Sequence, residues 1–377
     1  MNSSDEIRVT RVPLPPLAAL EQEWRDLEGR CDHSFFMSWH WIGSWLEHLP
    51  EDVPRWLLRA DVGGRIVGLG VVCANTIRRH GVFPSRGLYL HCTGRSDLDE
   101  LTVEYNGFLA EDGLERQVTQ RYIEFLRDGQ NCDELYLNGW HRLDLLGSVQ
   151  AEPGLSARIV RRPCCYVDLD GLRRSGPPYL ERLTKKTRYH VRRSIREYGK
   201  LGELKFDVAT NGDEAQNFLA ELKRLHQRSW QAKGQPGSFA NHFFDKFHQN
   251  LVKQLFPANV IQLARLRVGE RALGYLYNFV YRGRIYHYQA GIDYDIDVRL
   301  NPGLVCQVYA IEFGRESGHK VYEFMAGELK YKSDLATDST EMLWLVLQQP
   351  RLKFRIEEWL RSFKARLLRG AIDPGGR

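Results

Sequence analysis

The apolar and polar positions of this 377-residue chain follow the same order in both halves of the sequence. Each half contains two apolar runs joined by a glycine-marked segment, Val62-Gly63-Gly-Arg65-Ile-Val-Gly68 in one and Val268-Gly269-Glu-Arg271-Ala-Leu-Gly274 in the other. Helical spacing of apolar residues precedes these segments over 21–29, 39–47, 213–232 and 241–256. Glycines between two apolar runs indicate a β-hairpin. The shared spacing V-G-x-R-x-x-G therefore predicts two helices followed by a hairpin in each half.

A strand, a helix and a second strand are predicted after each hairpin. The predicted segments are 101–110, 114–127 and 134–138 in the first half, and 285–291, 303–316 and 321–325 in the second. The repetition predicts a duplicated α/β (α+β) module, each unit a mixed sheet flanked by helices. Turn formers and two prolines interrupt a strand-like run at 168–178. We therefore expect an N-terminal unit over 1–170 and a C-terminal unit over 171–349.

Basic residues are concentrated in two predicted helices. The first helix, over 178–198, has apolar residues at spacings of three and four, and its portion 182–196 contains seven Lys or Arg and no acid. Its cations are suited to phosphates, but a solvated face has the same composition. The second is a basic amphipathic helix over 350–369, within a C-terminal helix and tail over 350–377. It is suited either to docking on its own protein or to peripheral contact with an anionic membrane.

Composition and cysteine spacing limit the class of protein. A chain with 43% hydrophobic and 27% charged residues and a net charge of +5 is an ordinary globular protein rather than a nucleic-acid coat. Seven cysteines without a C-x-x-C pair predict neither a disulfide framework nor a zinc site, so no metal is expected. The polar N-terminus and the short longest apolar stretch, 66–74, predict a soluble, cytoplasmic protein.

Backbone N–H groups and a lysine are predicted to surround one cleft in the second half. Gly291-Ile-Asp-Tyr294 ends a strand, Asn301-Pro-Gly303 begins a helix, and Gly327-Glu-Leu-Lys-Tyr-Lys332 forms a charged loop. A helix start offers N–H donors and partial positive charge to an anion. Pro302 suits a first helical turn and Gly303 permits close approach, although a plain helix start has the same residues. The order predicts a site for a small anionic ligand.

Several separated motifs carry a family resemblance. In the second half they are Tyr286 to Tyr288, Gly291, Asp293, Pro302-Gly303, Ile311-Glu312, Gly318, Glu323-Phe324, Gly327 and Tyr331-Lys332. Earlier ones are Trp24 with Leu27, Ser34-Phe-Phe-Met-Ser38, Trp41, Trp45, the basic set Lys185, Arg188, Arg192 and Arg193, and Leu225-His226 with Trp230, Gly234, Ser238 and Phe239. Together they resemble GNAT superfamily acyltransferases of the cellulose-biosynthesis-protein (CelD/BcsL-like) type, which are related to the Fem aminoacyltransferases. The resemblance implies a tandem GNAT-like acyl-CoA N-acyltransferase fold, in agreement with the repeat.

The resemblance also implies a reaction. An acyl group would pass from acyl-CoA, with acetyl-CoA the first choice, to an amine or hydroxyl of a small-molecule or glycan acceptor related to the cell envelope or to polysaccharide. Acyl-CoA is then a co-substrate, and no cofactor is expected to be tightly bound. The predicted donor-binding residues are Arg299, Asn301, Gly303 and Leu304, which lie at or just before the predicted helix start. The first half is expected to shape the acceptor site and to have a degenerate donor site.

Acid–base roles are assigned to the charged loop under this resemblance. Glu328 is the predicted base, Tyr331 the predicted acid, and Lys332 the cation that holds phosphate or carbonyl oxygen. An extended loop would point Glu328 and Lys332 to one side and Tyr331 to the other. Asp293 is an alternative base. The competing interpretation is that Tyr331 packs in the core while the charges form a surface ion pair.

Three alternatives stay open. Ordinary GNAT enzymes have several glycines before the pyrophosphate-binding helix, whereas this chain has only Gly303, so a Fem-like aminoacyltransferase using charged tRNA is the second hypothesis. A non-catalytic partner of a polysaccharide synthesis complex is the third.

Phe36, Trp39 and Tyr288 are the predicted substrate-binding residues, because flat aromatic faces stack on sugar rings. The spacing of this aromatic region equally suits a buried helix face.

Overall fold

A computed structural model of the protein describes residues 6–79, 83–129, 132–150, 153–295 and 299–357. Its strands are β1 (Arg8–Pro13), β2 (Arg55–Val62), β3 (Arg65–Arg79), β4 (Phe83–Leu90), β5 (Leu109–Ala110), β6 (Glu134–Trp140), β7 (Ser156–Asp168), β8 (Leu204–Val208), β9 (Ile261–Val268), β10 (Arg271–Tyr281), β11 (Arg284–Ile292), β12 (Val321–Ala326) and β13 (Asp338–Gln348). Its helices are α1 (Leu17–Glu28), α2 (Trp39–His48), α3 (Glu115–Gly129), α4 (Leu146–Gln150), α5 (Leu169–Ser175), α6 (Tyr179–Arg182), α7 (Lys185–Gly199), α8 (Gly212–Gln231), α9 (His242–Leu255), α10 (Pro302–Glu316) and α11 (Lys330–Leu335). Strands and helices are interleaved throughout, so the predicted α/β class is confirmed.

Within the described residues, the strands form one mixed sheet. Their order is β1-β2-β3-β4-β6-β13-β7-β12-β11-β10-β9-β8, and β5 pairs with β3. The first half contributes β1-β2-β3-β4-β6 and the second half contributes β8-β9-β10-β11-β12, in the same relative order. The β4–β6 and β11–β12 pairs are parallel, and each follows a run of antiparallel ladders. The equal topology of the two halves confirms the duplicated unit that the repeat predicts.

The two halves exchange their last strands. β7 belongs to the first half of the sequence but pairs with β12 of the second, whereas β13 returns to pair with β6 of the first. β7 and β13 also pair with each other, from Asp338 opposite Tyr166 to Gln348 opposite Ser156. Backbone hydrogen bonds therefore join the halves through a central antiparallel pair and fix their relative positions.

Both predicted hairpins are present. β2 and β3 are joined at Gly63-Gly64, and β9 and β10 at Gly269-Glu270. Gly63, Gly64 and Gly269 have φ angles of 57°, 82° and 54°. Residues with a side chain rarely adopt such angles, so the turns require glycine at these positions.

The predicted basic helix over 178–198 is divided into α6 and α7. The side chain of Thr184 accepts a backbone N–H of the first turn of α7, so a new helix starts there. Glu181 of α6 forms ion pairs with Arg188 and Arg192 of α7. An acid just ahead of the basic segment thus neutralises part of its charge, which its composition alone did not indicate.

The strand predicted over 101–110 is wrong. Only Leu109 and Ala110 are extended, as β5, and the preceding residues form a loop. Thr102 and Tyr105 have φ angles of 42° and 51°, in the left-handed region that interrupts a strand. The counterpart of β11 in the first half is instead β4, which lies before this loop.

Aromatic side chains from both halves share one core. Phe35, Phe36 and Trp41 of the first half contact Phe279 of the second, and the rings of Phe35 and Phe279 stack with centroids 4.3 Å apart. All four side chains are fully buried. Buried aromatic pairs stabilise a fold through their large apolar area and ring geometry, so this core holds the halves together.

The structure bears on the predictions for membrane spans and for the C-terminal helix only within the described residues. Among the described residues, no helix combines the length and apolar character needed to cross a bilayer. Of the predicted C-terminal helix and tail over 350–377, the structure describes a helical stretch at 352–357. Residues 358–377 lie outside the described residues, so the basic amphipathic helix stays a prediction.

Candidate active site

Two strands diverge at the centre of the second half. β11 and β12 pair in parallel from Arg284 opposite Val321 to Tyr286 opposite Glu323. Beyond these pairs, β11 continues to Ile292. Cavities of about 360 Å³ and about 300 Å³ open at the gap. Both cavities are lined by the part of β11 that lies beyond its pairing with β12.

The larger cavity lies at the start of α10, and we call it the helix-start cavity. Asn301, Gly303 and Leu304 line it, opposite residues of α8 and of β11. Pro302 has no N–H, and Val305 N–H bonds to the Asn301 carbonyl at 3.2 Å. The N–H groups of Gly303 and Leu304 therefore precede the first helical hydrogen bond and are the donors of the helix start. Together with the helix dipole they suit an anion.

The smaller cavity lies between the two halves, and we call it the interhalf cavity. Glu100, Thr102 and Glu104 of the first half face β11, β12 and α11 of the second across it. The two cavities share six lining residues, Ser238, His287, Gln289, Ala290, Leu329 and Tyr331. Because the same side chains border both cavities, the two cavities are direct neighbours.

Glu104 and Lys332 are the buried charged groups of the interhalf cavity, each 7% exposed. Glu104 Oε2 accepts the N–H of Ala326 at 2.7 Å. Lys332 Nζ donates to the carbonyls of Met325 and Ala326, at 3.2 and 2.7 Å. Burial raises the pKa of Glu104 to about 7. Burial also lowers the pKa of Lys332, and the charge of Glu104 opposes that change.

A bulge in β12 positions both Glu104 and Lys332. The register shifts between Glu323 and Ala326, and Met325 has a φ angle of 62°. A bulge turns consecutive backbone groups away from the ladder. Here the N–H of Ala326 faces Glu104 and its carbonyl faces Lys332. One irregular residue thus places a carboxyl group and an amine at the same wall of the cavity.

A buried chain of hydrogen bonds crosses the gap. Tyr322 OH donates to Gln307 Oε1 at 2.8 Å, and Gln307 Nε2 lies 2.8 Å from His287 Nε2. His287 Nδ1 lies 2.9 Å from Asn278 Oδ1, and Asn278 Nδ2 donates to Gln262 Oε1 at 2.8 Å. An amide NH₂ only donates and an amide oxygen only accepts, so His287 carries its proton on Nδ1.

His287 is therefore a structural wall of both cavities rather than a base. Burial, aided by the charge of Lys332, lowers the pKa of His287 to about 3. Its Nε2 lone pair already accepts from Gln307. A base needs a free lone pair and a pKa near the working pH, and Glu104 meets the second condition better.

The predicted catalytic loop is helical where an extended chain was expected. Lys330–Leu335 forms α11, so Tyr331 and Lys332 do not alternate along a strand. Tyr331 lines both cavities, and burial raises its pKa to about 12, which keeps the phenol protonated. Glu328 is exposed and lines neither cavity. The loop therefore brings Tyr331 and Lys332 to the gap and leaves Glu328 outside it.

Asp293 lies in an ion-pair cluster beside the helix-start cavity. Its carboxylate accepts from Arg228 at 2.7 Å and from Arg271 at 3.0 Å. Burial alone would raise the pKa of Asp293, but the Asp295 N–H and the two guanidinium groups hold it below its ordinary value. A carboxylate stabilised in this way is a weak base.

The other predicted binding residues divide between cavity and core. Arg299 is exposed and does not line either cavity. Phe36 and Trp39 are buried in the shared core, 0% and 7% exposed. Tyr288 lines the interhalf cavity, where its OH donates to the Leu101 carbonyl at 2.7 Å. Only Tyr288 of this predicted aromatic set is placed to meet a substrate.

Sequence reasoning missed Glu104, His287 and Gln307. Glu104 lies in the loop that was predicted as a strand of the other half, and no local motif marks it. The contact between Glu104 and β12 joins residues 222 positions apart. His287 lies inside the motif Tyr286 to Tyr288, so its position was available although its hydrogen bonds were not.

The second half of the chain matches a known protein family. Residues 185–333 match the acetyltransferase (GNAT) domain. This segment contains α7 to α10, β8 to β12 and the first four residues of α11, and hence the helix start, the strand gap and Lys332. No curated protein matches the sequence.

Solved structures resemble the chain over nearly its whole length. FemX is 9% identical, with 89% of this chain and 96% of that chain covered and a TM-score of 0.55. The C-terminal domain of a protein named as a lysylphosphatidylglycerol synthetase from Agrobacterium fabrum is 12% identical, with 94% and 97% covered and a TM-score of 0.52. L-PGS from Bacillus licheniformis is 12% identical, with 93% and 98% covered and a TM-score of 0.52. At these identities the similarity concerns the fold.

The fold and the enzyme class predicted from the sequence are confirmed at this level. The second half contains a GNAT-type acetyltransferase domain, and the first half has the same strand order. The chain is thus an acyltransferase with a tandem GNAT-like fold. The comparisons do not single out the CelD/BcsL-like type within it.

Proposed function

We propose that the protein transfers an acyl group from acyl-CoA, bound in the helix-start cavity, to an acceptor bound in the interhalf cavity. The observation that carries this proposal is the meeting of the two cavities at the gap between β11 and β12. Acyl transfer needs a donor carbonyl and an acceptor nucleophile in contact while the rest of each substrate stays apart. Two cavities that share one wall meet that need.

The helix start supports the donor assignment. The N–H groups of Gly303 and Leu304 suit the pyrophosphate of coenzyme A, and Asn301 lies at the same edge. Trp230, Tyr294 and Leu329 line this cavity and are 39%, 48% and 62% exposed, which leaves an apolar rim for the neutral arm of the donor. Acetyl-CoA is the first candidate. Arg299 stays a predicted donor residue that would act from outside the cavity.

Glu104 is our candidate for the base. The acceptor nitrogen or oxygen attacks the thioester carbonyl carbon, the carbon–sulfur bond breaks, and Glu104 takes the proton that the acceptor loses. A carboxyl group with a pKa of about 7 exchanges protons near neutral pH. Tyr331 supplies a proton to the departing thiolate, and the Lys332 ammonium stabilises the ionised carboxylate beside it. The roles predicted for Glu328 and Asp293 stay predictions, which their positions outside the cavities do not favour.

The acceptor assignment rests on the family resemblance. It implies an amine or hydroxyl of a cell-envelope or polysaccharide-related molecule, and the interhalf cavity of about 300 Å³ is large enough for one small ring. Glu100 and Glu104 make the first-half wall of this cavity acidic. An acceptor that carries an amine is therefore favoured over an anionic one.

A charged tRNA donor is the second candidate, and α7 is the observation that favours it. Asn301 N–H bonds to Ser194 Oγ at 3.4 Å, so α7 lies against the helix start. Lys185 and Lys186 are exposed, and no ion-pair partner for them occurs in the described part of the chain. A polyanion would meet these cations on the way to the cavity. A non-catalytic partner of a synthesis complex would instead keep the surface and lose donor binding.

Thermal shifts with acetyl-CoA and longer acyl-CoAs test the donor assignment. Ligand at about a hundred times its dissociation constant should add about 2.7 kcal/mol of stability. Gly303→Val should abolish the thermal shift. A Cβ added at this position would lie 3.6 Å from the Tyr294 hydroxyl, and the larger valine side chain would enter the cavity. Gly212→Val is the matched control, since Gly212 also begins a helix and a Cβ there meets no atom within 4 Å.

The outcomes separate the candidates. A shift in the parent and in Gly212→Val, but not in Gly303→Val, supports the proposal. No shift with any acyl-CoA contradicts it and favours charged tRNA, whose binding should weaken steeply as salt increases. A protein that binds neither donor would support the non-catalytic role.

A further inference from the structure

The first half repeats the strand gap of the second, but its cavity is nearly closed. β4 and β6 pair in parallel from Gly87 opposite Glu134 to Tyr89 opposite Tyr136, as β11 and β12 do. The cavity at the equivalent place, lined by Gly107 and Trp140 among others, has a volume of about 30 Å³. That leaves room for no more than a few water molecules, compared with about 360 Å³ in the second half.

Asn106 fills the first-half gap. It is fully buried, and its Nδ2 donates to the Leu90 carbonyl at 3.0 Å and the Asn138 carbonyl at 2.9 Å. These carbonyls belong to the end of β4 and to β6, the two strands that diverge. Its Oδ1 accepts from His91 Nδ1 at 2.8 Å and from Gly107 N–H at 2.9 Å. All donors and acceptors of the amide are therefore used, and the side chain occupies the space between the strands.

The loop that carries Asn106 also carries Glu104. Tyr105, between them, has its carbonyl bonded to Ser34 Oγ at 2.9 Å and its OH bonded to Glu323 Oε2 at 2.8 Å. Tyr105 and Thr102 both hold left-handed backbone angles, which cost energy unless the surroundings fix them. The loop is thus fastened at one end in the first-half gap and at the other end on β12.

We propose that Asn106 is a positioning residue for the reaction: by filling the degenerate gap of the first half, it holds Glu104 at the acceptor site of the second. This inference rests on the proposed role of Glu104 as the base. The first-half cleft takes no donor of its own and serves as the anchor of the loop that completes the other cleft. Without the amide, the left-handed residues relax and the Glu104 carboxyl group leaves its buried place.

The surroundings of Glu104 define what this displacement changes. The charged and titratable groups that act on it include Lys332 of α11, Arg162 and Cys164 of β7, Glu323 of β12, Tyr288 of β11 and the adjacent Tyr105. Burial is the larger influence on its pKa. A carboxyl group that moves into water regains an ordinary pKa, so its position can be followed without measuring activity.

The test combines Asn106→Ala with Glu104→Gln. Misplacing a catalytic group by about 1 Å costs on the order of a hundredfold, so Asn106→Ala should lower kcat/KM for acyl transfer by about 10- to 100-fold and move the pH profile. In the Glu104→Gln background the same change should cost less than about threefold, because its effect passes through Glu104. Asn106→Ser serves if the alanine variant does not fold. Ile123→Ala, a buried first-half change away from the loop, should leave the pH profile unchanged.

A second measurement separates failure of this inference from failure of the proposed base. With Asn106 in place, the Glu104→Gln variant should melt at a higher temperature than the unsubstituted protein. The difference between the two melting temperatures should grow from pH 5 to pH 8. In the Asn106→Ala background that margin should stay constant. If Glu104→Gln leaves the rate unchanged, the base assignment fails while the margin still reports the position of Glu104. A margin that grows equally in both backgrounds, or additive losses in kcat/KM, would overturn the inference.

Discussion

Glu104→Gln is the change that best tests the site, because it removes a charge and keeps the shape of the side chain. The glutamine oxygen can still accept the Ala326 N–H that Glu104 accepts at 2.7 Å. What is lost is the carboxyl group that we propose as the proton acceptor. We expect kcat/KM for acyl transfer to fall by about 10²- to 10⁴-fold, the usual contribution of a general base. Binding of acyl-CoA should be unchanged, since Glu104 does not line the helix-start cavity.

The same substitution has a stability effect with a definite sign. The pKa of Glu104 rises from an ordinary 4.5 to about 7 in the folded protein. Between these values the folded state binds more protons than the unfolded state, so its stability falls as pH rises. At about 1.4 kcal/mol per pKa unit, the difference between 4.5 and about 7 corresponds to about 3–4 kcal/mol of destabilisation above pH 7. Glu104→Gln should remove this loss, so the variant should be the more stable protein at pH 8 and gain little at pH 4.

Urea unfolding at pH 4, 5, 6, 7 and 8 measures this difference directly. The free energies of unfolding of parent and variant should diverge through the range from about 4.5 to about 7. Glu328→Gln is the matched control, because Glu328 is exposed and its removal should give parallel curves. Parallel curves for Glu104→Gln as well would show that Glu104 is not held in a raised-pKa state and would refute the reasoning.

Three further predictions address packing and partners. Gly291→Ala should destabilise the protein severely in urea unfolding, because its Cβ would lie 2.2 Å from the Leu222 carbonyl oxygen. Gly199→Ala is the control and should leave the stability nearly unchanged, since a Cβ there meets no atom within 4 Å. Phe36→Ala should cost about 3–5 kcal/mol of unfolding free energy, as for a fully buried ring; a raised acceptor KM without that loss would restore its predicted role in substrate binding. Lys186→Glu should weaken tRNA binding and flatten its salt dependence if the second donor hypothesis holds, and should leave acetyl-CoA binding unchanged if the first does.

The spacing of apolar and glycine residues predicted the hairpins and most helices, because interactions between residues close in sequence determine these elements. The hairpins at Gly63-Gly64 and Gly269-Glu270 depend on glycine turns within four residues. The helices depend on apolar periodicity, and the start of α10 depends on Pro302. Each of these signals lies inside the element that it defines, so a single sequence contains it.

The loop over 101–110 shows where such reasoning fails. Its apolar and β-branched residues fit a strand, yet Thr102 and Tyr105 adopt left-handed angles. Contacts far along the chain fix those angles, such as the bond from Tyr105 to Glu323 across 218 positions. Propensity is a weak guide where tertiary contacts of this kind compete with it.

The exchange of strands explains how the first half can supply the base that we propose, although the sequence predicts a base in the second half. A motif search within the second half expects a self-contained site, and it therefore assigns catalysis to nearby charges such as Glu328. The pairing of β7 with β12 and of β13 with β6 instead makes one sheet of the two halves. The first half is thereby close enough to place Glu104 against β12. The proposed base thus belongs to the half with the smaller cavity, about 30 Å³, and its contact with β12 depends on a strand pairing that no local sequence pattern contains.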